Sequence, residues 1–300
     1  MKVGQIHRMH ARHLAALRRA PGTISYYGDC IRRLEEFLEA RGLPDDAAQL
    51  RKTDLMDLML WLRERGLSPG GEHAVMRGVR ATLRWAVEED LIGADPTRKL
   101  RLSTPPVTMP PAVTPQEARE ALRLAMTTDH PLRDKAILLT MLDTGVRMGE
   151  LLQLHLEDVD MERGMLRVRA ETSKRQRERH IPFGVKLGRA ISLYERRERR
   201  PARASIPNLF LNRSGMPLTK GVVEHLTSGL AERMGVPRSH LAPHAWRRAF
   251  ATACLRGGVD IHALRLMMGH TSIEQTLVYA RYVPDDLQRQ HLRASPGDRL

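Results

Sequence analysis

The chain has 300 residues, 42% apolar and only 4% aromatic, enough for one large core or two medium ones built from aliphatic side chains and methionine. Lys and Arg outnumber Asp and Glu by 49 to 35, and the net charge of +14 points to a polyanionic partner, nucleic acid first. Two distant cysteines, Cys30 and Cys254, exclude a disulfide framework or a Cys-x-x-Cys metal site, no His-Glu-x-x-His occurs, and apolar runs such as 136–139 are far too short to span a bilayer.

The first 28 residues carry Lys2, Arg8, Arg12, Arg18 and Arg19 and no acid. That mimics a transit peptide in charge, but it lacks an apolar signal core and runs at once into a helical pattern, so it reads as part of the folded protein. Tyr26, Ile31, Leu34, Phe37 and Leu38 form one helical stripe. Thr53 or Asp54 can cap a second helix through Leu55, Leu58, Met59 and Leu62, and Val75, Val79, Leu83, Trp85, Ala86 and Val87 predict a third that ends near Gly93. These elements make an all-helical domain over 1–103. Four prolines between Ser103 and Pro111 then stop any helix and predict an extended linker over 104–113.

The second domain, 114–300, opens on Thr114-Pro115-Gln116-Glu117, a capping box with proline at the first helical position. Helices are expected over 131–143 and 147–155. The period then changes to that of strands over 159–161, 165–169 and 179–182, with the first turn at Arg163-Gly164. Helices resume over 184–200, 219–234, 243–256, 260–268 and 273–280. The excess charge is +4 over 1–104 and +10 over 105–300, so the second domain carries most of it.

Six residues of this domain carry possible chemistry. Arg147 follows the tight turn that Gly145 allows, where a guanidinium can fork onto a phosphate; taken alone it reads more readily as a surface arginine paired with Glu150. Lys174 sits on the turn between the second and third strands, able to bring an ammonium into a groove, among Arg175, Arg177 and Arg179, which read as a solvated basic loop or nonspecific phosphate contacts. His244 and Arg247, at i and i+3 after Pro243, share one helix face, with Trp246 off that face and expected in the core. His270 follows a helix that Gly269 terminates. Tyr279 lies on the next helix, with Tyr282 as its neighbour and competitor; a phenol with a pKa near 10 is a plausible nucleophile only beside cations and a base.

Each signal is weak alone, but the order and spacing are not. The set Arg147, Lys174, His244-x-x-Arg247, His270 and Tyr279 resembles the active site of the tyrosine recombinase/integrase family. The segments Thr-Gly-Val-Arg-Met-Gly-Glu-Leu-Leu-Gln-Leu, His-Ala-Trp-Arg-Arg-Ala-Phe-Ala-Thr and Leu-Met-Met-Gly-His-Thr-Ser-Ile-Glu-Gln-Thr-Leu-Val-Tyr resemble that family's conserved boxes, in a layout of the Xer or simple phage and transposon integrase type. Gly149 stands where the family often has Ser, and Arg248 where a His is frequent. There is little room before residue 10 for the extra arm-binding domain of lambda-type integrases.

The resemblance covers essentially the whole chain. It implies a mainly α fold: an N-terminal helical core-binding (SAM-like) domain and a mixed helical catalytic domain with a small three-stranded antiparallel sheet. It implies that Tyr279 attacks the scissile phosphate to form a 3′-phosphotyrosine, that Arg147 and Arg247 hold the non-bridging oxygens, that His270 adds a hydrogen bond, and that Lys174 protonates the leaving 5′-oxygen. His244 assists at Tyr279, and Glu150 orients Arg147. No metal, cofactor or ATP is called for. The implied partners are double-stranded DNA with a specific core site, contacted also by Arg80, Arg84, Arg175, Arg177 and Arg179, and further copies of the chain or a paralogue, four on two sites, with 285–292 docking on a neighbour. No membrane partner is implied, and a prokaryotic or phage cytoplasm fits. A type IB topoisomerase-like nicking-closing enzyme shares the chemistry but needs no paired sites, and an idle DNA-binding protein would not need all six residues. The recognition sequence and the choice among integration, excision and resolution are not legible.

Overall fold

The computed structural model describes residues 1–102, 109–172, 177–280, 291, 295 and 297–299. The chain separates into two compact units, Met1–Thr108 and Met109–Leu300. Among the described residues no helix is long and apolar enough to cross a membrane.

Among its described residues the first unit holds four α-helices, α1 (Val3–Ala16), α2 (Pro21–Ala40), α3 (Lys52–Glu64) and α4 (Pro69–Glu88). The predicted stripes supply its core, where Ile31, Leu34, Phe37 and Leu38 of α2 meet Leu55, Leu58 and Leu62 of α3 and Val75, Val79, Leu83 and Ala86 of α4; Tyr26, placed in the α2 stripe, is instead exposed, because its hydroxyl donates to the Ala74 carbonyl at 2.6 Å. Two boundaries differ from expectation. Asp54 is not the N-cap of α3 but sits three residues inside it, where its carboxylate accepts from the Arg51 amide at 2.8 Å. Helix α4 stops at Glu88 rather than near Gly93, because Asp90 turns to φ +55 and the Leu91 amide closes back on the Ala86 carbonyl. The sequence also hid His10, which is buried between Tyr27 and Trp85 with Nδ1 3.2 Å from the Thr82 hydroxyl.

The second unit contains α5 (Pro115–Ala125), α6 (Pro131–Thr144), α7 (Met148–Leu152), the strands β1 (Val159–Asp160), β2 (Met165–Val168) and β3 (Arg179–Pro182), then α8 (Val185–Arg197), α9 (Lys220–Arg233), α10 (Arg238–Leu241), α11 (Pro243–Arg256), α12 (Ile261–Met268) and α13 (Glu274–Ala280). The capping box forms: the Glu117 amide donates to Thr114 Oγ1, and the Thr114 amide to the Glu117 carboxylate. Helix α6 runs through the centre, buried almost all round, and Thr140 and Thr144 are accommodated there because each hydroxyl donates to the carbonyl four residues earlier. Trp246 is fully buried, with its indole N–H on the Leu241 carbonyl at 2.9 Å. The sheet is antiparallel in the order β1-β2-β3, with Leu166 opposite Ile181 and Val168 opposite Arg179. Leu166, Val168 and Ile181 face inward, and the two-residue period puts Arg179 on that same inner face.

Candidate active site

Two glycines in left-handed conformation shape the floor of the site. Gly145 ends α6 at φ +58, and a Cβ there would overlap the Phe250 ring. Gly269 ends α12 at φ +62, and a Cβ there would lie 3.0 Å from an Arg179 nitrogen. Both positions therefore require glycine for backbone and for space.

The end of α12 organises everything around it. Its last carbonyls have no partner within the helix, and three consecutive ones each accept from a different arginine. Met267 takes Nε of Arg179 at 2.8 Å, Met268 takes Nη2 of Arg247 at 2.6 Å, and Gly269 takes Nη2 of Arg147 at 3.2 Å. The negative end of the helix dipole favours this gathering of cations. Arg247 also donates to the Gly145 carbonyl, so one guanidinium bridges both glycine turns. Arg147 is the N-cap of α7 and is held from below by Glu150, which accepts from its backbone amide at 2.8 Å and from Nη1 at 3.0 Å.

Glu150 is 2% exposed and shared: Arg179 donates Nη1 and Nη2 to its two oxygens at 3.0 and 2.7 Å. Burial pushes its carboxyl up, but the Arg179 hydrogen bonds and charge, aided by Arg147, outweigh this and hold its pKa below the usual range. Arg247 differs. It is 5% exposed, its partners are carbonyls and a histidine, and among the described residues no carboxylate pairs with it. Desolvation and the neighbouring Arg147 lower its pKa to about 10, still protonated at neutral pH.

His270 Nε2 lies 3.1 Å from Arg247 Nη2 and Nδ1 lies 2.9 Å from Thr276 Oγ1. Arginine can only donate, so Nε2 accepts and the proton resides on Nδ1, a tautomer assigned from the bonding pattern. Desolvation, then Arg247, Arg147 and Arg179, lower the His270 pKa to about 4. The Tyr279 ring stacks on this imidazole, nearly parallel at 14° with centroids 6.0 Å apart. His244 lies on α11 one turn before Arg247; partial desolvation and the fields of Arg248, Arg247 and Arg147 lower its pKa, leaving it neutral at pH 7.

Of the residues singled out in sequence, Arg147, Arg247, His270 and Tyr279 come together around the end of α12, and His244 feels the same arginines. Lys174, Arg175 and Tyr282 lie outside the described residues, as do 285–290 and 292 of the expected docking segment. Arg177 and Arg84 are exposed. Arg179 requires a correction. Its side chain is 9% exposed and its fork is occupied by Glu150 and Met267, so it is an interior strut and not a loop cation facing DNA. Arg80 is likewise half-buried and donates to the Leu100 carbonyl. Arg248, the departure from the family pattern, ties α11 to the Pro111 carbonyl at 2.7 Å. Sequence reading missed Thr276 as the partner of His270 as well as Arg179; the signal for the latter was its even spacing from the buried Ile181.

Residues 112–284 match the phage integrase family. Over 294 residues the chain is 31% identical to the tyrosine recombinase XerC of Roseiflexus sp. (strain RS-1), covering 95% of this chain and 91% of that protein. It is 28% identical over 291 residues to the tyrosine recombinase XerD of Bifidobacterium longum (strain NCC 2705), covering 93% of each. Among solved structures, the Tn1549 transposon integrase in complex with a circular intermediate DNA superposes with a TM-score of 0.76 at 23% identity, over 93% of this chain and 95% of that one. A lambda integrase dimer bound to a COC′ core site gives 0.71 at 16% identity, over 93% and 95%. At these identities the structural likeness is one of fold. The chain belongs to the phage integrase family. Its activity is that of a tyrosine-type site-specific DNA recombinase.

Proposed function

We propose that the Tyr279 oxygen attacks the phosphorus of a DNA backbone linkage, forming a 3′-phosphotyrosine and releasing a 5′-hydroxyl strand, and that attack by an incoming 5′-hydroxyl reverses the step to rejoin DNA. The bond energy is kept in the phosphotyrosine, so no ATP is consumed. The observation that carries this reading is Arg247, a buried guanidinium that no carboxylate pairs with among the described residues, held beside His270 and the Tyr279 ring. A buried cation in that state is stabilised by an anion arriving next to it. A scissile phosphate supplies one, and its charge grows as the fifth bond to phosphorus forms.

Arg147, preset by Glu150 and the Gly269 carbonyl, takes the second non-bridging position. His244, neutral at pH 7, accepts the Tyr279 proton. His270 donates to the phosphate once it gains a proton on Nε2. Lys174, by its place in the motif, protonates the departing 5′-oxygen. Recombination on this reading pairs two core sites through four copies of the chain, or of the chain and a paralogue, with 285–292 docking on a neighbour, in a bacterial or phage-infected cytoplasm.

The test starts from a core site selected out of a random duplex library by the Tyr279→Phe variant. On that site carrying a nick beside the cleavage point, the wild type is expected to become covalently joined to DNA in EDTA, and Tyr279→Phe is not. An adduct that persists in Tyr279→Phe but is lost in Tyr282→Phe would move the nucleophile to Tyr282. Absence of any adduct on a tightly bound site would make the protein an idle binder.

A further inference from the structure

We infer that Arg179 is a positioning residue for DNA cleavage: one buried guanidinium that sets Arg147 through Glu150 and sets the end of α12, and with it Arg247 and His270, through the Met267 carbonyl. The inference rests on the strand-cleavage reading above and deepens it.

The geometry is specific to arginine. Nη1 and Nη2 meet the two oxygens of Glu150 at 3.0 and 2.7 Å, while Nε meets the Met267 carbonyl at 2.8 Å. A planar fork can serve a carboxylate with one edge and a carbonyl with the third nitrogen; an ammonium offers one point charge and cannot span both. Each partner is one step from the phosphate-holding groups. Glu150 takes the Arg147 guanidinium, and the two carbonyls after Met267 take Arg247 and Arg147. The same strut explains why Gly269 has no Cβ, since that atom would press on the Arg179 guanidinium. Arg179 reaches this place because β3 turns it to the inner face of the sheet beside Ile181. Without its fork, Glu150 would swing with one cation instead of two, and the carbonyl row at the end of α12 would lose its first anchor. The arginines would still be present, but their spacing would no longer be fixed before DNA arrives, which is the part of catalysis that positioning supplies.

The experiment compares wild type, Arg179→Lys and Arg179→Met in the full chain on the nicked core site, at a temperature well below each melting midpoint. Single-turnover cleavage is measured at saturating DNA, and affinity separately in the Tyr279→Phe background. Arg179→Met is expected to slow cleavage by on the order of 10²-fold, with Kd for DNA within about twofold. Arg179→Lys, which keeps the charge beside Glu150 and hence the fold, is expected to recover part of the rate and not all of it. The inference is overturned if Arg179→Lys cleaves at the wild-type rate, or if rate and affinity fall together in proportion, as in a merely unfolded fraction. A wild type without a Tyr279-dependent adduct overturns the underlying reading as well, and that result is read from the wild-type lane alone.

Discussion

At the scale of single residues, the site is a cluster of positive charge kept in order by backbone carbonyls and one carboxylate. His270 shows what this does to a proton. Burial, then the fields of three arginines, lower its pKa to about 4, so the free imidazole is neutral at pH 5.5 and accepts from Arg247. A phosphate arriving beside Arg247 and Arg147 opposes their field, which raises the His270 pKa. Between the free and the bound pKa the complex holds one proton more than the separate partners, so binding takes up a proton there and weakens as pH rises through the bound value. We expect the calorimetric enthalpy of core-site binding by Tyr279→Phe at pH 5.5 to differ between two buffers of unlike ionisation enthalpy, by the amount that proton uptake requires. Adding His270→Asn should abolish the difference. An unchanged difference would assign the proton to another group. Residue identities were legible in sequence wherever motif spacing marks them, as for Arg147, Arg247, His270 and Tyr279. The partners were not: Thr276 is an ordinary threonine in sequence, and only the fold brings its hydroxyl to His270.

At the scale of elements, periodicity and punctuation were reliable where a single force sets them. Helix α11 spans Pro243–Arg256, the stretch expected, because proline fixes its start and the Trp246 face sets its burial. Helix α4 ended early because Asp90 adopts a left-handed turn, which nothing in its neighbours announces. The strand β3 was placed correctly, yet Arg179 was grouped with the loop before it. The run of Arg175, Arg177 and Arg179 has the charge of a solvated loop, while the strand period, which pairs Arg179 with Val168 and puts it beside Ile181, already implies burial. The end of α12 is where element and site meet, and Gly269→Ala tests it. At φ +62 any side chain costs about 1–2 kcal/mol, and here the methyl also meets Arg179 at 3.0 Å. We expect a fall in unfolding free energy of about that size, read from the denaturant midpoint, together with slower cleavage at saturating DNA. A variant that is less stable but cleaves at the wild-type rate would show that the carbonyl row tolerates displacement.

At the scale of the whole molecule, the +14 charge favours a polyanionic partner such as DNA, and the salt dependence of binding separates arginines that contact phosphate from those that hold the protein together. Each phosphate neutralised releases condensed counterions, so log Kobs falls linearly with log salt, with a slope of about −0.9 per contact. Removing a true phosphate contact therefore reduces the slope by about one, and removing a structural arginine leaves it alone. Two arginines of α4 make the comparison within one helix. Arg84 is exposed, whereas Arg80 is half-buried and already donates to the Leu100 carbonyl, closing the first unit on itself. We expect Arg84→Ala to flatten the salt slope by about one with little change in stability, and Arg80→Ala to lower the melting midpoint with the slope unchanged. Both are measured by titrating labelled core-site duplex across a range of salt concentrations in the Tyr279→Phe background, so that binding is not pulled forward by covalent capture. If Arg80→Ala flattens the slope as much as Arg84→Ala, the Leu100 bond gives way when DNA binds, and Arg80 is a phosphate contact. If neither does, the first unit grips DNA through side chains other than these two, and its +4 excess is carried to the phosphates by other residues of the unit.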